Sequence, residues 1–167
     1  AGRFGAVDMA TAIRSPGSTL KPIIYGLAFE LGIAHPDTLI EDTPARFGIY
    51  VPKNFDHDWH GTVTIRTALP LSLNIPAVKV ALINGIEHLY DRAQEFGLRF
   101  AVPLRNAGPA MALGSLEVRP LDLTTAYATI GNQGRYLPHE SVLSVTDARG
   151  NDVLPPYEVP EGDRVIS

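Results

Sequence analysis

The sequence predicts a mainly helical domain that carries one small β-hairpin, and three observations predict it. Apolar residues recur at helical spacing in four separate blocks. Pro and Gly punctuate the intervals between those blocks. β-Branched residues flank a single Asp-Ala-Arg-Gly-Asn turn towards the C-terminal end. A chain of 167 residues with 45% hydrophobic and 19% charged residues is long and apolar enough to bury a core.

The first helix follows SPGSTLKP, residues 15–22, where Ser15 is placed to act as N-cap and Pro16 as the first helical residue. Leu20, Ile23, Ile24, Leu27, Ala28 and Leu31 then form an apolar face, and Gly32 supplies the stop. Gly26 weakens such a helix by roughly 1 kcal/mol relative to Ala, so close packing against a neighbour is the expected reason for it. Residues 35–61 carry three prolines, two glycines and no sustained period, and read as one long structured connection in which Phe47, Tyr50, Phe55 and Trp59 favour a functional role over disorder.

A second block starts near Thr64 and is interrupted by Pro70 and Pro76, which predicts two short helices with a break near Ser72 to Ile75. Ile86, Leu89, Tyr90, Ala93 and Phe96 predict a third helix ending at Gly97, and a fourth follows Pro120 and stops near Gly131. SVLSVTDARGNDVLP reads as the hairpin, and the Pro-rich tail after it as extended chain.

Composition excludes several functions. A formal charge of −4 with scattered Lys and Arg argues against a surface that tracks nucleic acid. Without cysteine there is no disulfide, thiolate ligand or thiol nucleophile, which leaves hydroxyl chemistry open. No apolar run reaches the roughly 18 residues of a membrane span, and the opening GRFGAVDM lacks the pattern of a signal peptide.

Ser18 and Lys21 lie three positions apart, on one face of the expected helix start. A serine hydroxyl attacks only when a nearby base takes its proton, and first-turn N–H groups favour the negative charge that develops. To act as that base at neutral pH, a lysine with a free pKa near 10.4 must be shifted by about 3 units, roughly 4 kcal/mol, by burial. The plainer reading makes Ser18 an ordinary polar residue and Lys21 a solvated one. Ser72 and Asn74 fall in the predicted break, where a hydroxyl can relay a proton between Lys21 and a leaving group and an amide can hold a peptide carbonyl and contact the lysine; equally, either can cap the helix that starts at Pro76.

SPGSTLKP, followed by NFDHDWHGTVTIRTALPLSLNIPAVKVALINGIEHLYDRAQEFGL, resembles the transpeptidase domain of class A penicillin-binding proteins, which cross-link peptidoglycan. IEDTPARFGIYVPKNFDHDWHG is most similar to the 1C type, and MALGSLEVRPLDLTTAYATIGNQG to the class in general. The resemblance spans nearly the whole chain and implies an α+β fold of the penicillin-binding transpeptidase or serine β-lactamase kind, here mainly its helical portion with a small hairpin and an incomplete central sheet. It implies Ser18 as the acylated nucleophile, Lys21 as its general base, Ser72 as proton relay and Asn74 as the amide that positions substrate. The implied reaction is attack of Ser18 on the D-Ala-D-Ala bond of a peptidoglycan stem peptide, release of D-Ala and transfer of the acyl group to a second stem. β-Lactam antibiotics acylate the same serine, no cofactor or metal takes part, and the location is the periplasmic, extracytoplasmic face of the inner membrane.

Such enzymes also use a Lys-Thr/Ser-Gly on a strand lining the cleft, whereas here the last lysine, Lys79, precedes Val80 and Ala81. The expectation is therefore a fragment: residues 1–167 as a partial transpeptidase domain, with the glycosyltransferase domain, the membrane segment and the C-terminal strands absent, and with little activity of its own. Pro70 is expected to shift Ser72. Alternatives are a non-catalytic scaffold of the same fold, or a serine β-lactamase, which Glu87 and Glu95 support poorly because they lie on a helix with Asp91 rather than in a loop. His57, His60, Asp56 and Asp58 are better read as loop-holding polar groups than as metal ligands.

Overall fold

A computed structural model describes residues 7–155 and 157–166; the opening segment 1–6 and residues 156 and 167 of the expected tail lie outside it. The described residues form five helices, α1 (Lys21–Glu30), α2 (Ile65–Ala68), α3 (Asn74–Asn84), α4 (Ile86–Glu95) and α5 (Pro120–Gly131), with one 3-10 turn leading into α1 and two between α4 and α5. Two antiparallel pairs complete the described structure: β1 (Leu39–Asp42) with β2 (Gly61–Thr64), and β3 (Arg135–Tyr136) with β4 (Asp163–Arg164). Among the described residues no helix is long and apolar enough to cross a membrane.

Helix α1 is the centre of the core. It packs against α3, α4 and the 3-10 turn Pro109–Leu113, and Ile23, Ile24, Tyr25, Leu27 and Ala28 are buried along it. Each large apolar side chain so buried contributes about 1.5–3 kcal/mol relative to exposure. Polar ties fix the packing: Asn84 Nδ2 on α3 donates to the Ile24 carbonyl at 2.8 Å, and Arg92 on α4 pairs with Glu30 at the end of α1 at 2.7 Å.

Helices α4 and α5 run where the apolar spacing places them, with the glycine stops at 97 and 131. Other expectations need correction. Ser15 does not cap a helix: Gly17–Leu20 forms a 3-10 turn, Gly17 adopts a left-handed φ of +56°, α1 proper starts only at Lys21, and the Ser15 hydroxyl donates to the Gly114 carbonyl at 2.7 Å. Gly26 is not a tight-packing site, since a Cβ there would meet Ile166 Cδ1 at an ordinary 3.6 Å. The connection 35–61 contains strand β1, which pairs with β2 in the register Leu39 with Thr64 to Asp42 with Gly61. The break in the second block spans 69–73, and α3 already starts at Asn74.

The expected hairpin forms its turn but not its strands. Asp147 accepts hydrogen bonds from the backbone of Arg149 and Asn151, and pairing stops at a single bridge between Thr146 and Asp152. Exposure of the flanking Val142, Leu143, Val145 and Val153 explains this, because a two-stranded ribbon with no face to bury is marginal in water. The tail instead supplies β4, and Gly134 admits it closely: a Cβ at that position would stand 2.3 Å from the Ile166 carbonyl oxygen.

Candidate active site

Lys21 is the first residue of α1 and is 1% exposed. An ammonium has three donors, and burial obliges each to find an acceptor. The acceptors come from the other side of the cleft: the Ser72 carbonyl, Ser72 Oγ at 3.0 Å and Asn74 Oδ1 at 2.7 Å. None is a carboxylate, so loss of water dominates, and burial lowers the Lys21 pKa from 10.5 to about 8.

Ser72 reaches this position through its backbone. It adopts a left-handed φ of +54°, uncommon for a residue with a side chain, in the turn between α2 and α3. That conformation presents carbonyl and hydroxyl together to Lys21. Pro70 ends α2 without moving Ser72 out of reach, contrary to the expected shift, because the Ser72 and Leu73 N–H groups hold the turn by donating to Leu69 and Ala68. Asn74 is held on three sides. Its Nδ2 donates to the Lys53 carbonyl at 2.7 Å, its backbone N–H to Asn54 Oδ1 at 2.8 Å, and its Oδ1 accepts from Lys21.

Ser18 lies on the 3-10 turn before α1 and is exposed; its carbonyl accepts the Lys21 backbone N–H, while the Lys21 side chain is given to Ser72 and Asn74. The structure thus brings Lys21, Ser72 and Asn74 into direct contact and leaves Ser18 exposed on the turn that precedes Lys21. Its turn is buttressed by Gly114, where a Cβ would stand 2.1 Å from Gly17 N, and by Tyr127, whose hydroxyl donates to the Thr19 carbonyl at 2.8 Å. Sequence reasoning missed both; the glycine in MALG was the available signal.

The donor and acceptor pattern around Lys21 has a chemical consequence. Once the ammonium loses a proton, its nitrogen carries a lone pair and needs one donor. Two of its three partners are carbonyl oxygens and cannot donate; the Ser72 hydroxyl can, by rotation. A neutral Lys21 can thus keep a hydrogen bond to Ser72 only by accepting from the Ser72 hydroxyl.

The loop residues divide. His60, Asp56 and Asp58 tie the 54–60 segment together: His60 Nδ1 meets Asp42 Oδ2 at 2.8 Å, and Asp56 and Asp58 accept from nearby backbone N–H groups. Among the described residues no cluster of His, Cys, Asp and Glu has the grouping of a metal site. Phe47 and Tyr50 pack on the core, whereas Phe55 is 97% exposed and lines a small pocket with Ser72, and Trp59 is half exposed in a separate pocket with Pro44, Val51 and Lys53. Glu95 is paired with Arg92 at 2.6 Å on α4.

The family model described as the penicillin binding protein transpeptidase domain matches residues 5–163. Penicillin-binding protein 1C of Escherichia coli K12 is 41% identical over 135 residues, covering 80% of this chain and 17% of that protein. The structure of PonA1 from Mycobacterium tuberculosis superposes with a TM-score of 0.86 at 24% identity, over 99% of this chain and 47% of that one, and PonA1 has also been solved in complex with penicillin V. Penicillin-binding protein 1A from Haemophilus influenzae gives a TM-score of 0.78 at 27% identity, over 90% of this chain and 23% of that one. The chain thus spans less than half the length of each. It belongs to the transpeptidase domain family of class A penicillin-binding proteins.

Proposed function

We propose that these residues form the nucleophile half of a serine D,D-transpeptidase that cross-links peptidoglycan stem peptides on the extracytoplasmic side of the membrane. The observation that carries the reading is the buried, charge-uncompensated Lys21 in contact with Ser72 and Asn74, directly after the turn that carries Ser18.

In this reading neutral Lys21 accepts the proton of Ser18 Oγ, directly or through Ser72, as the oxygen adds to the penultimate D-Ala carbonyl. The C–N bond then breaks, the proton returns by way of Ser72 to the leaving amine, and D-Ala departs. The acyl group stays on Ser18 until an amine of a second stem peptide attacks, giving up its proton along the same path. Asn74 Nδ2 already donates to Lys53, so the amide aligns Lys21 and meets substrate only from its free side. A β-lactam carbonyl enters the same sequence and stops at the acyl-enzyme.

The sequence holds no Lys-Thr-Gly or Lys-Ser-Gly. We therefore assign the grip on the substrate carboxylate, and one oxyanion donor, to sequence outside these 167 residues, and expect this chain alone to acylate at least about 100-fold more slowly than one that contains them. Fluorescent penicillin tests the reading: the longer protein takes up one equivalent on Ser18 and Ser18→Ala takes up none. Equal labelling of the variant overturns it.

A further inference from the structure

Asp42 closes strand β1 with 0% exposure, 32 residues before Asn74 in sequence, yet a continuous hydrogen-bonded path joins the two. Its carboxylate accepts Asn54 Nδ2 on both oxygens, at 2.9 and 2.7 Å, and on Oδ2 also the His60 backbone N–H at 3.0 Å and His60 Nδ1 at 2.8 Å. Asn54 is 3% exposed, gives its remaining amide hydrogen bond to the Asp58 carbonyl at 3.0 Å, and accepts the Asn74 N–H on Oδ1 at 2.8 Å. We propose that Asp42 and Asn54 are a positioning pair that fixes the orientation of Asn74 and, through it, the aim of Lys21. The proposal rests on the transpeptidase reading above.

An amide side chain fits either way round by shape alone, and only its partners decide which end is oxygen. Asp42, as a carboxylate, can only accept, so Asn54 must turn its NH2 towards β1 and its oxygen towards α3. That oxygen is the partner of the first N–H of α3, one of the helix-start donors that burial does not allow to stand alone. With the backbone of Asn74 held there, and its NH2 held by the carbonyl of Lys53, the residue next to Asn54, only its oxygen is left to face Lys21. A neutral amide at 42 would point a donor at a donor, and relief by turning Asn54 over would move the same conflict to the N–H of Asn74.

The other groups around Asp42 do not compete for this role. Tyr25 faces it from α1 with its pKa raised by burial and by the Asp42 charge, so it stays neutral, and His60 sits at the rim with Asp56 at 3.3 Å on its other ring nitrogen.

The test uses the longer protein and measures acylation by penicillin as the rate constant k2 and the preceding dissociation constant, per competent site, from pH 6 to 10. Asp42→Asn is expected to lower k2 by about 10- to 100-fold with the dissociation constant little changed, as for a displaced base. It also moves the acidic limb of the k2 profile to lower pH, because Lys21 loses an acceptor that favours its charged form. Asn54→Ala has the same signature, and the double variant falls no further than Asn54→Ala alone if Asp42 acts through Asn54. A k2 per competent site equal to the parent with an unmoved limb, or losses that multiply in the double variant, overturns the proposal. If neither variant yields competent protein, His60→Gln decides: it withdraws one hold on Asp42 from the half-exposed rim, and an unchanged k2 and limb overturn the proposal likewise. A parent protein that takes no label on Ser18 refutes the transpeptidase reading instead.

Discussion

Lys21 Nζ stands 2.7 Å from Asn74 Oδ1, while the other end of that amide is committed to the Lys53 carbonyl at the same distance. The amide therefore cannot turn over without breaking two hydrogen bonds, and Lys21 meets an acceptor that keeps one orientation. This contact joins the start of α1 to the start of α3, across 53 residues of sequence.

The lowered Lys21 pKa predicts the pH dependence of acylation. With the base at about 8, the rate constant for penicillin should rise with pH to a plateau above that value, and fall about tenfold per unit below it. Stopped-flow acylation from pH 6 to 10 measures the profile. A rate independent of pH across this range removes Lys21 as the base.

Stability should show the same group with the opposite sign from a paired lysine. The folded pKa lies below the unfolded one, so the unfolded chain binds more protons between about 8 and 10.5, and this group makes stability rise with pH across that window. Below it the full opposition to folding, roughly 3 kcal/mol, is present. Lys21→Met should abolish this slope and raise the urea midpoint at pH 7, the lost hydrogen bonds offsetting part of the gain, while acylation falls by about 100- to 10,000-fold.

His60 should behave as an ordinary stabilising histidine. Its hydrogen bond to Asp42 raises its pKa above 6.5, so its contribution is complete below 6.5 and fades as pH climbs through the raised value. Urea denaturation of parent and His60→Gln at pH 5.5 and 8 should differ more at the lower pH. A constant difference contradicts the pairing.

Gly114→Ala should disable the Ser18 turn without touching Lys21. A Cβ there would stand 2.1 Å from Gly17 N and 2.5 Å from Gly17 Cα, and the φ of +85° adds about 1–3 kcal/mol of backbone strain. The expected result is a lower melting temperature and a penicillin acylation rate reduced more than tenfold, since the whole turn must move.

How much of this was legible in the sequence depends on the range of the interactions. Helices α4 and α5 were, because their apolar spacing and glycine stops are local. Strand β1 was not, since four residues give too short a pattern and its partner lies beyond a loop. The Ser-x-x-Lys pair suggested contact by spacing alone, but Lys21 turns to Ser72 and Asn74, because a buried ammonium needs three acceptors that an exposed turn cannot supply. Asp42 and Asn54 carried no signal: an acidic and an amide residue in a polar loop look the same whether solvated or buried.

The dependence of Lys21 on partners more than fifty positions further along has a consequence for the newly made chain. Until α3 docks, the lysine is hydrated, fully cationic and unable to take a proton from its neighbour. In the transpeptidase reading, chemical competence therefore waits on the docking of α3, and a polypeptide in which α3 is undocked is expected to be inert towards both peptide and antibiotic.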